Sequence, residues 1–162
     1  MAAGALLLAS THPTPELLWT LAAGRPLLAW SVAACEQTPA IAEILVLVPA
    51  ERLEDARALA VSEGWTRVRV IPDSTRLRES IEAGLRESIE AGLRALDPAL
   101  SWVVIHEAAR PLVTPALLAA ALNLAQHADA DIITGEPVKE TVKRLRDGLV
   151  EETLPRERMV RA

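Results

Sequence analysis

Trp102–Pro111 reads WVVIHEAARP. Its first four residues are an apolar run too short for a helix and suited to a buried strand, and a polar segment, His106–Pro111, follows at once. Upstream, Ser74 or Thr75 introduces a long helical period that reaches about Leu96. Downstream, Thr114 followed by Pro115 supplies an N-cap and a first-turn proline for a helix over Ala116–Gln126. A strand held between two helices is the unit from which parallel sheets are built.

The same alternation runs toward the N-terminus. Ala5–Ala9 (ALLLA) is a short apolar run fit for a buried strand, and Pro26, at a first helical position, opens a helix through about Cys35. Glu43–Val48 (EILVLV) reads as a buried strand stopped by Pro49. Arg52–Ser62 is helical in period, with Gly64 as its stop, and Arg67–Ile71 (RVRVI) alternates as a strand does. Toward the C-terminus, Asp131–Thr134 reads as a further strand. Thr141–Arg144 and Leu149–Thr153 flank Arg146-Asp147-Gly148 as a hairpin. The expected fold is α/β: a Rossmann-like, mostly parallel sheet with helices on both faces, plus a protruding β-hairpin arm at about 137–156. Ligands of such sheets sit beyond the carboxyl ends of the strands, which points to Ser10–Glu16, Pro72–Thr75 and His106–Pro111.

Composition excludes several classes. The chain has 162 residues, enough for a single domain over 1–162 at about 150 residues per domain. It carries 17 basic and 22 acidic side chains, a net charge of −5, so it lacks the basic footprint of a nucleic-acid binder. Four tryptophans with no Phe or Tyr leave little for base stacking. Hydrophobic residues make up 51%, against general disorder. The single cysteine, Cys35, cannot form an intrachain disulfide and reads as a buried core residue. The start MAAGALLLAS has no positive n-region of a signal peptide, and the longest uncharged run, Pro111–Ala128, holds two prolines and polar residues. The expectation is a cytoplasmic protein that engages neither membrane nor nucleic acid.

Arg78–Leu85 and Arg86–Leu93 are both RESIEAGL, an immediate tandem copy. Eight extra helical residues add about 12 Å and turn the face by about 80°. Ile81, Leu85, Ile89 and Leu93 keep a slowly winding apolar stripe, so one continuous helix is compatible with both copies. Gly84 and Gly92 each cost roughly 1 kcal/mol relative to Ala in a helix. Two copies do not make a solenoid, and the repeat reads as a local insertion.

The chemistry gathers in His106–Pro111. Small Ala108 and Ala109 allow a ligand to approach the backbone, while Glu107 offers a metal-binding oxygen and Arg110 a phosphate partner. Trp102–Thr114 (WVVIHEAARPLVT) resembles the HDAARP signature of the 2-C-methyl-D-erythritol 4-phosphate cytidylyltransferases. Gly24–Val32 (GRPLLAWSV) and Pro39–Pro49 (PAIAEILVLVP) resemble that family's first helix and second strand. Glu136–Arg144 (EPVKETVKR) resembles its PVxDTxKR segment and Glu152–Arg156 (ETLPR) its ETVDR segment. Removing one RESIEAGL copy restores the family spacing from Pro72 to His106.

The resemblance implies a nucleotidyltransferase of isoprenoid precursor synthesis, in the methylerythritol phosphate pathway. A phosphate oxygen of a polyol phosphate attacks the α-phosphorus of CTP and pyrophosphate leaves. AARP favours methylerythritol phosphate over a substrate such as ribitol 5-phosphate. The resemblance places Glu107 at the acidic position facing nucleotide and Mg²⁺, Arg110 at the signature arginine, and Ser80 or Ser88 at the nucleotide-side serine. It places Thr141 and Arg156 on an arm that binds the polyol phosphate across a homodimer.

The chain departs from the pattern in the nucleotide loop. The family's AAGxGxRMG segment and its following lysine cradle and neutralise the triphosphate. Here MAAG is followed by ALLLAS, or the loop is Ser10–Glu16 (STHPTPE), with Leu17 at the lysine position; no Lys or Arg precedes Arg25. His12 and His127 read as solvated histidines. Each lost transition-state donor costs about 10²–10³ in rate. Glu107 adds a methylene to the family's Asp, and misplacement by about an ångström can cost about 10²-fold. The family's QTPQ segment and later Lys and Asp motifs have no counterpart before Ala162. The expectation is impaired transfer, with a non-catalytic binding module or dimer partner of an intact homologue as the alternative.

Overall fold

Side chains along β1 (Ala3–Leu8) alternate between two cores, as the two-residue period of a strand requires. Ala3, Ala5 and Leu7 face one cluster, and Leu6 and Leu8 face the other. The computed structural model describes residues 2–9, 15–73 and 81–161. It divides into two compact units, Met1–Asn123 and Leu124–Ala162.

In the first unit, a 3₁₀ turn at Pro15–Trp19 leads into a short antiparallel ribbon, β2 (Leu21–Ala22) with β3 (Arg25–Pro26). There follow α1 (Leu27–Glu36), β4 (Ile41–Pro49), α2 (Leu53–Ser62), β5 (Val68–Asp73), α3 (Ile81–Ala95) and β6 (Trp102–Glu107). α4 (Pro115–Ala128) begins here and ends in the second unit. Pro26 stands at the N-cap of α1, one residue before the expected start, because it is paired with Leu21 in the ribbon. Gly64, at φ +66°, ends α2, and the amide of Trp65 donates back to the Ala60 carbonyl.

The strands form one parallel sheet in the order β5-β4-β1-β6. One face packs on α1, α2 and α4 through Leu28, Val32, Ala56, Leu118 and Leu122. The opposite face packs on α3 through Leu85, Ile89 and Leu96. Helices therefore cover both faces, as the alternation predicts. Truncating a fully buried residue such as Leu6 or Leu45 to Ala would cost about 2–5 kcal/mol.

Strand order also locates the crevice. The chain steps from β1 to β4 to β5 on one side, then crosses to the other side for β6. That reversal opens between β1 and β6, where Leu8 lies opposite Glu107.

The second RESIEAGL copy is the one seated on the sheet. Gly92 lies against Leu6, and Ser88 is fully buried, whereas a Cβ on Gly84 would meet nothing within 4 Å among the described residues. The residues C-terminal to each copy decide between them. After the second copy come Leu96 and Leu100, packed over Gly4 so that a Cβ there would stand 3.2 Å from methyls of both. Seating the first copy would put Ser88 and Gly92 in their places, replacing two leucines with a hydroxyl and a hydrogen. The C-terminal end of α3 is pinned as well. Arg69 donates to the Ala95 carbonyl and to Glu43, whose second oxygen accepts the Asp97 amide at 2.8 Å.

In the second unit, β7 (Glu136–Pro137) pairs with β10 (Val160–Arg161), and β8 (Lys143–Arg146) with β9 (Leu149–Thr153). Asp147 (φ +51°) and Gly148 (φ +79°) form the two-residue turn between β8 and β9, both in the left-handed region that such hairpins require. Asp131–Thr134 is not a strand. Its apolar pair finds no ladder partner among the described residues, and Ile133 is 81% exposed.

Candidate functional site

The loop after β6 is fixed from both sides of a single residue. The Ala108 amide donates to the carbonyl of Leu8, the last residue of β1, at 3.0 Å. The Ala108 carbonyl accepts from Ser31 Oγ on α1 at 2.8 Å. Ala108 is wholly buried, so a larger side chain has no room there. The amide of Arg110 then donates to the Glu107 carbonyl at 3.0 Å, closing the turn. Glu107 and Arg110 are thus held at the carboxyl end of β6, beside the last residue of β1.

Arg110 Nε donates to Glu107 Oε2 at 2.9 Å. Their side chains are 61% and 36% exposed, so the pair contributes about 0.2–1 kcal/mol and opens readily to a competing ligand. His106 Nε2 donates to the Arg110 carbonyl at 3.2 Å, which fixes the protonated nitrogen, since a carbonyl only accepts. Burial pushes the His106 imidazole below its ordinary range. The hydrogen bond to Arg110 pulls it partly back, and the Arg110 charge lowers it further. The ring is neutral at pH 7 and braces the loop.

Ser88 lies at the carboxyl end of β5. Its Oγ is 2.6 Å from Asp73 Oδ2 and 3.0 Å from the Gly84 carbonyl, and both Ser88 and Asp73 are buried. Ser80 lies outside the described residues, as do His12 and most of Ser10–Glu16. In the second unit, Thr141 is exposed just before β8. Arg156 donates to the Lys139 carbonyl at 2.8 Å, two residues from Thr141. Arg156 is thereby tied to the segment that leads to Thr141.

No group of three His, Cys, Asp or Glu side chains among the described residues is placed to form a metal cage. A single hard carboxylate, Glu107, suits Mg²⁺ that arrives on a triphosphate, because that ion takes most of its ligands from phosphates and water. The site accommodates such an ion in that sense alone.

Ser31 is the member that sequence reasoning missed. It is the one polar side chain in the run LLAWSVAAC and is wholly buried. A lone hydroxyl on an apolar helix face was the available signal, because burial requires it to find an acceptor.

A profile of the family described as 2-C-methyl-D-erythritol 4-phosphate cytidylyltransferase (IspD) matches residues 9–162. The chain is 31% identical over 147 residues to the enzyme of that name from Dehalococcoides mccartyi CBDB1, covering 90% of this chain and 60% of that protein. It is 36% identical over 142 residues to that of Xanthomonas euvesicatoria, covering 87% and 51%. Among solved structures, the 4-diphosphocytidyl-2C-methyl-D-erythritol synthase of Anaerococcus prevotii superposes with a TM-score of 0.82. It is 22% identical, with 99% of this chain and 66% of that one covered, a likeness of fold. The chain thus spans about 60% of the length of a curated relative it matches. No helix of the described residues is long and apolar enough to cross a membrane.

Proposed function

The chain belongs to the 2-C-methyl-D-erythritol 4-phosphate cytidylyltransferase family, and on that premise we propose that it binds CTP and methylerythritol phosphate, with slow cytidylyl transfer. The observation that carries this reading is the hydrogen bond between Ala108 and Leu8. It holds Glu107 and Arg110 at the topological switch point, where α/β sheets take their ligands. The single-domain reading of 1–162, with an arm at about 137–156, and a cytoplasmic location in isoprenoid precursor synthesis belong to the same proposal.

In that reaction, a phosphate oxygen of methylerythritol phosphate attacks the α-phosphorus of CTP. The new P–O bond forms as the bond to the bridging β-phosphate oxygen breaks, and pyrophosphate leaves with the electron pair. Arg110 turns from Glu107 to a phosphate, where its fixed charge offsets the growing negative charge. The freed Glu107 carboxylate would hold Mg²⁺ arriving with the triphosphate, and the ion would supply Lewis-acid charge there. Ser88 or Ser80 lines the nucleotide side; of the two, Ser88 orients Asp73. Thr141 and Arg156 bind the polyol phosphate, presented on the arm to a second copy in a homodimer. Slow turnover follows from a loop without Lys or Arg, since each missing donor costs about 10²–10³ in rate.

A second reading is a non-catalytic relative that pairs with an intact homologue. It draws on the exposed Ile133, Leu145, Leu149, Val150 and Val160 of the second unit. A two-stranded hairpin is marginal alone, and such side chains favour a covering partner.

The test is pyrophosphate release with CTP, Mg²⁺ and methylerythritol phosphate, alongside calorimetric titration of CTP. CTP binding with release well below about 1 s⁻¹ supports slow transfer. Release at or above that rate overturns the impairment. No CTP binding overturns the nucleotide reading and leaves the pairing one.

A further inference from the structure

Two hydroxyls at α1 are fully buried, and they do different things. Thr38 Oγ1, just past the helix end, donates to the Ala34 carbonyl four residues back, at 2.8 Å. That is the ordinary local bond of a buried Thr. Ser31 Oγ instead reaches across 77 residues to the Ala108 carbonyl at 2.8 Å. The Ala108 amide is already held by Leu8 at 3.0 Å. Both hydrogen-bonding groups of one residue are therefore engaged, between the two side chains that make the site. Without Ser31, the Ala108 carbonyl loses this anchor on α1, and the Glu107–Arg110 turn keeps the Leu8 bond at one end and the His106 bond at the other.

We propose that Ser31 is a positioning residue for the candidate site: its hydroxyl fixes the Ala108 carbonyl, and so the directions in which Glu107 and Arg110 project. It does not touch substrate. Its effect on ligand binding rests on the nucleotide reading above, whereas its effect on the loop does not.

The experiment compares Ser31→Ala with Thr38→Ala by amide hydrogen exchange and by titration with CTP and Mg²⁺. Ala is a better helix former than either residue, so α1 is retained in the first variant. Expected is exchange about tenfold faster at Ala108 and Arg110 in Ser31→Ala, with those amides unchanged in Thr38→Ala. Equal exchange at those amides in the two variants overturns the proposal. CTP affinity about tenfold or more weaker in Ser31→Ala alone supports the link to the site. If the parent chain binds no CTP, the nucleotide reading fails, and the exchange comparison still decides the role of Ser31. Should Ser31→Ala not fold, Ser31→Cys keeps a weak donor of similar size, and its loop exchange must fall between the parent and Thr38→Ala on one side and a tenfold rise on the other. Exchange at the parent rate overturns the proposal.

Discussion

Gly92 of α3 lies so close to Leu6 of β1 that a Cβ there would stand 3.1 Å from Leu6 Cγ and nearer still to both methyls. Gly84 occupies the same place in an identical octapeptide, with nothing within 4 Å among the described residues. Gly84→Ala is therefore expected to stabilise by about 0.4–1 kcal/mol, since it gains helix propensity at no steric cost. Gly92→Ala is expected to destabilise by about 1–3 kcal/mol through overpacking. Urea midpoints of the two variants check this, and opposite signs to those stated would mean that the first copy is the seated one.

Cys35 is expected to resist thiol reagents while the chain is folded. Burial pushes its thiol up from 9.0 to about 12, with Arg67 lowering and Glu36 raising it by smaller amounts. The neutral thiol is thus the favoured form in the fold. The stability this contributes is complete below about 9 and is lost as pH rises toward about 12. Ellman's reagent at pH 8 should react slowly with native chain and rapidly in guanidinium, and equal rates would refute the burial argument.

Glu107→Asp shortens the carboxylate by one methylene and weakens its grip on Arg110, which is held at 2.9 Å. If that pair withholds both groups from the nucleotide, the variant should bind CTP with Mg²⁺ more tightly and raise turnover by about tenfold or more. Steady-state pyrophosphate release measures it. A variant slower than the parent would show that Glu107 is already well placed.

The arm should carry self-association. Leu145 and Val150 face each other across the β8–β9 hairpin and are 61% and 59% exposed. Replacing both with Lys is expected to shift sedimentation from dimer to monomer, with little change in the melting of the sheet. A chain monomeric before substitution would remove the homodimer from the proposal.

Supplying the loop cations tests the proposal of slow transfer and its cause. A glycine-rich loop with Arg and Lys grafted over Ser10–Leu17 should raise turnover by about 10²-fold or more. An unchanged rate would place the deficit elsewhere.

Local pattern was enough for most of the fold. Four apolar runs with helical periods between them could only bury their surfaces as a parallel sheet covered on both faces. Asp147-Gly148 and Gly64 marked their turns because left-handed backbone suits few other residues. The position of Glu107 and Arg110 at the end of β6 was legible because the polar segment follows the apolar run directly. Periodicity failed at Asp131–Thr134, where the short apolar run had the composition of a strand and no ladder partner among the described residues.

Two questions lay beyond any local pattern. Identical octapeptides have identical propensities, so only the packing of Leu96 and Leu100 on Gly4, just beyond the repeat, decided which copy meets the sheet. A hydroxyl in a helix is compatible with a local bond at every turn, and only the crossover of the chain to β6 brought the Ala108 carbonyl to Ser31. The sequence by itself determined which segments are strands and helices, because that depends on near neighbours. Tertiary structure decided which copy meets the sheet and which hydroxyl reaches the Ala108 carbonyl, because those depend on residues far along the chain meeting in space.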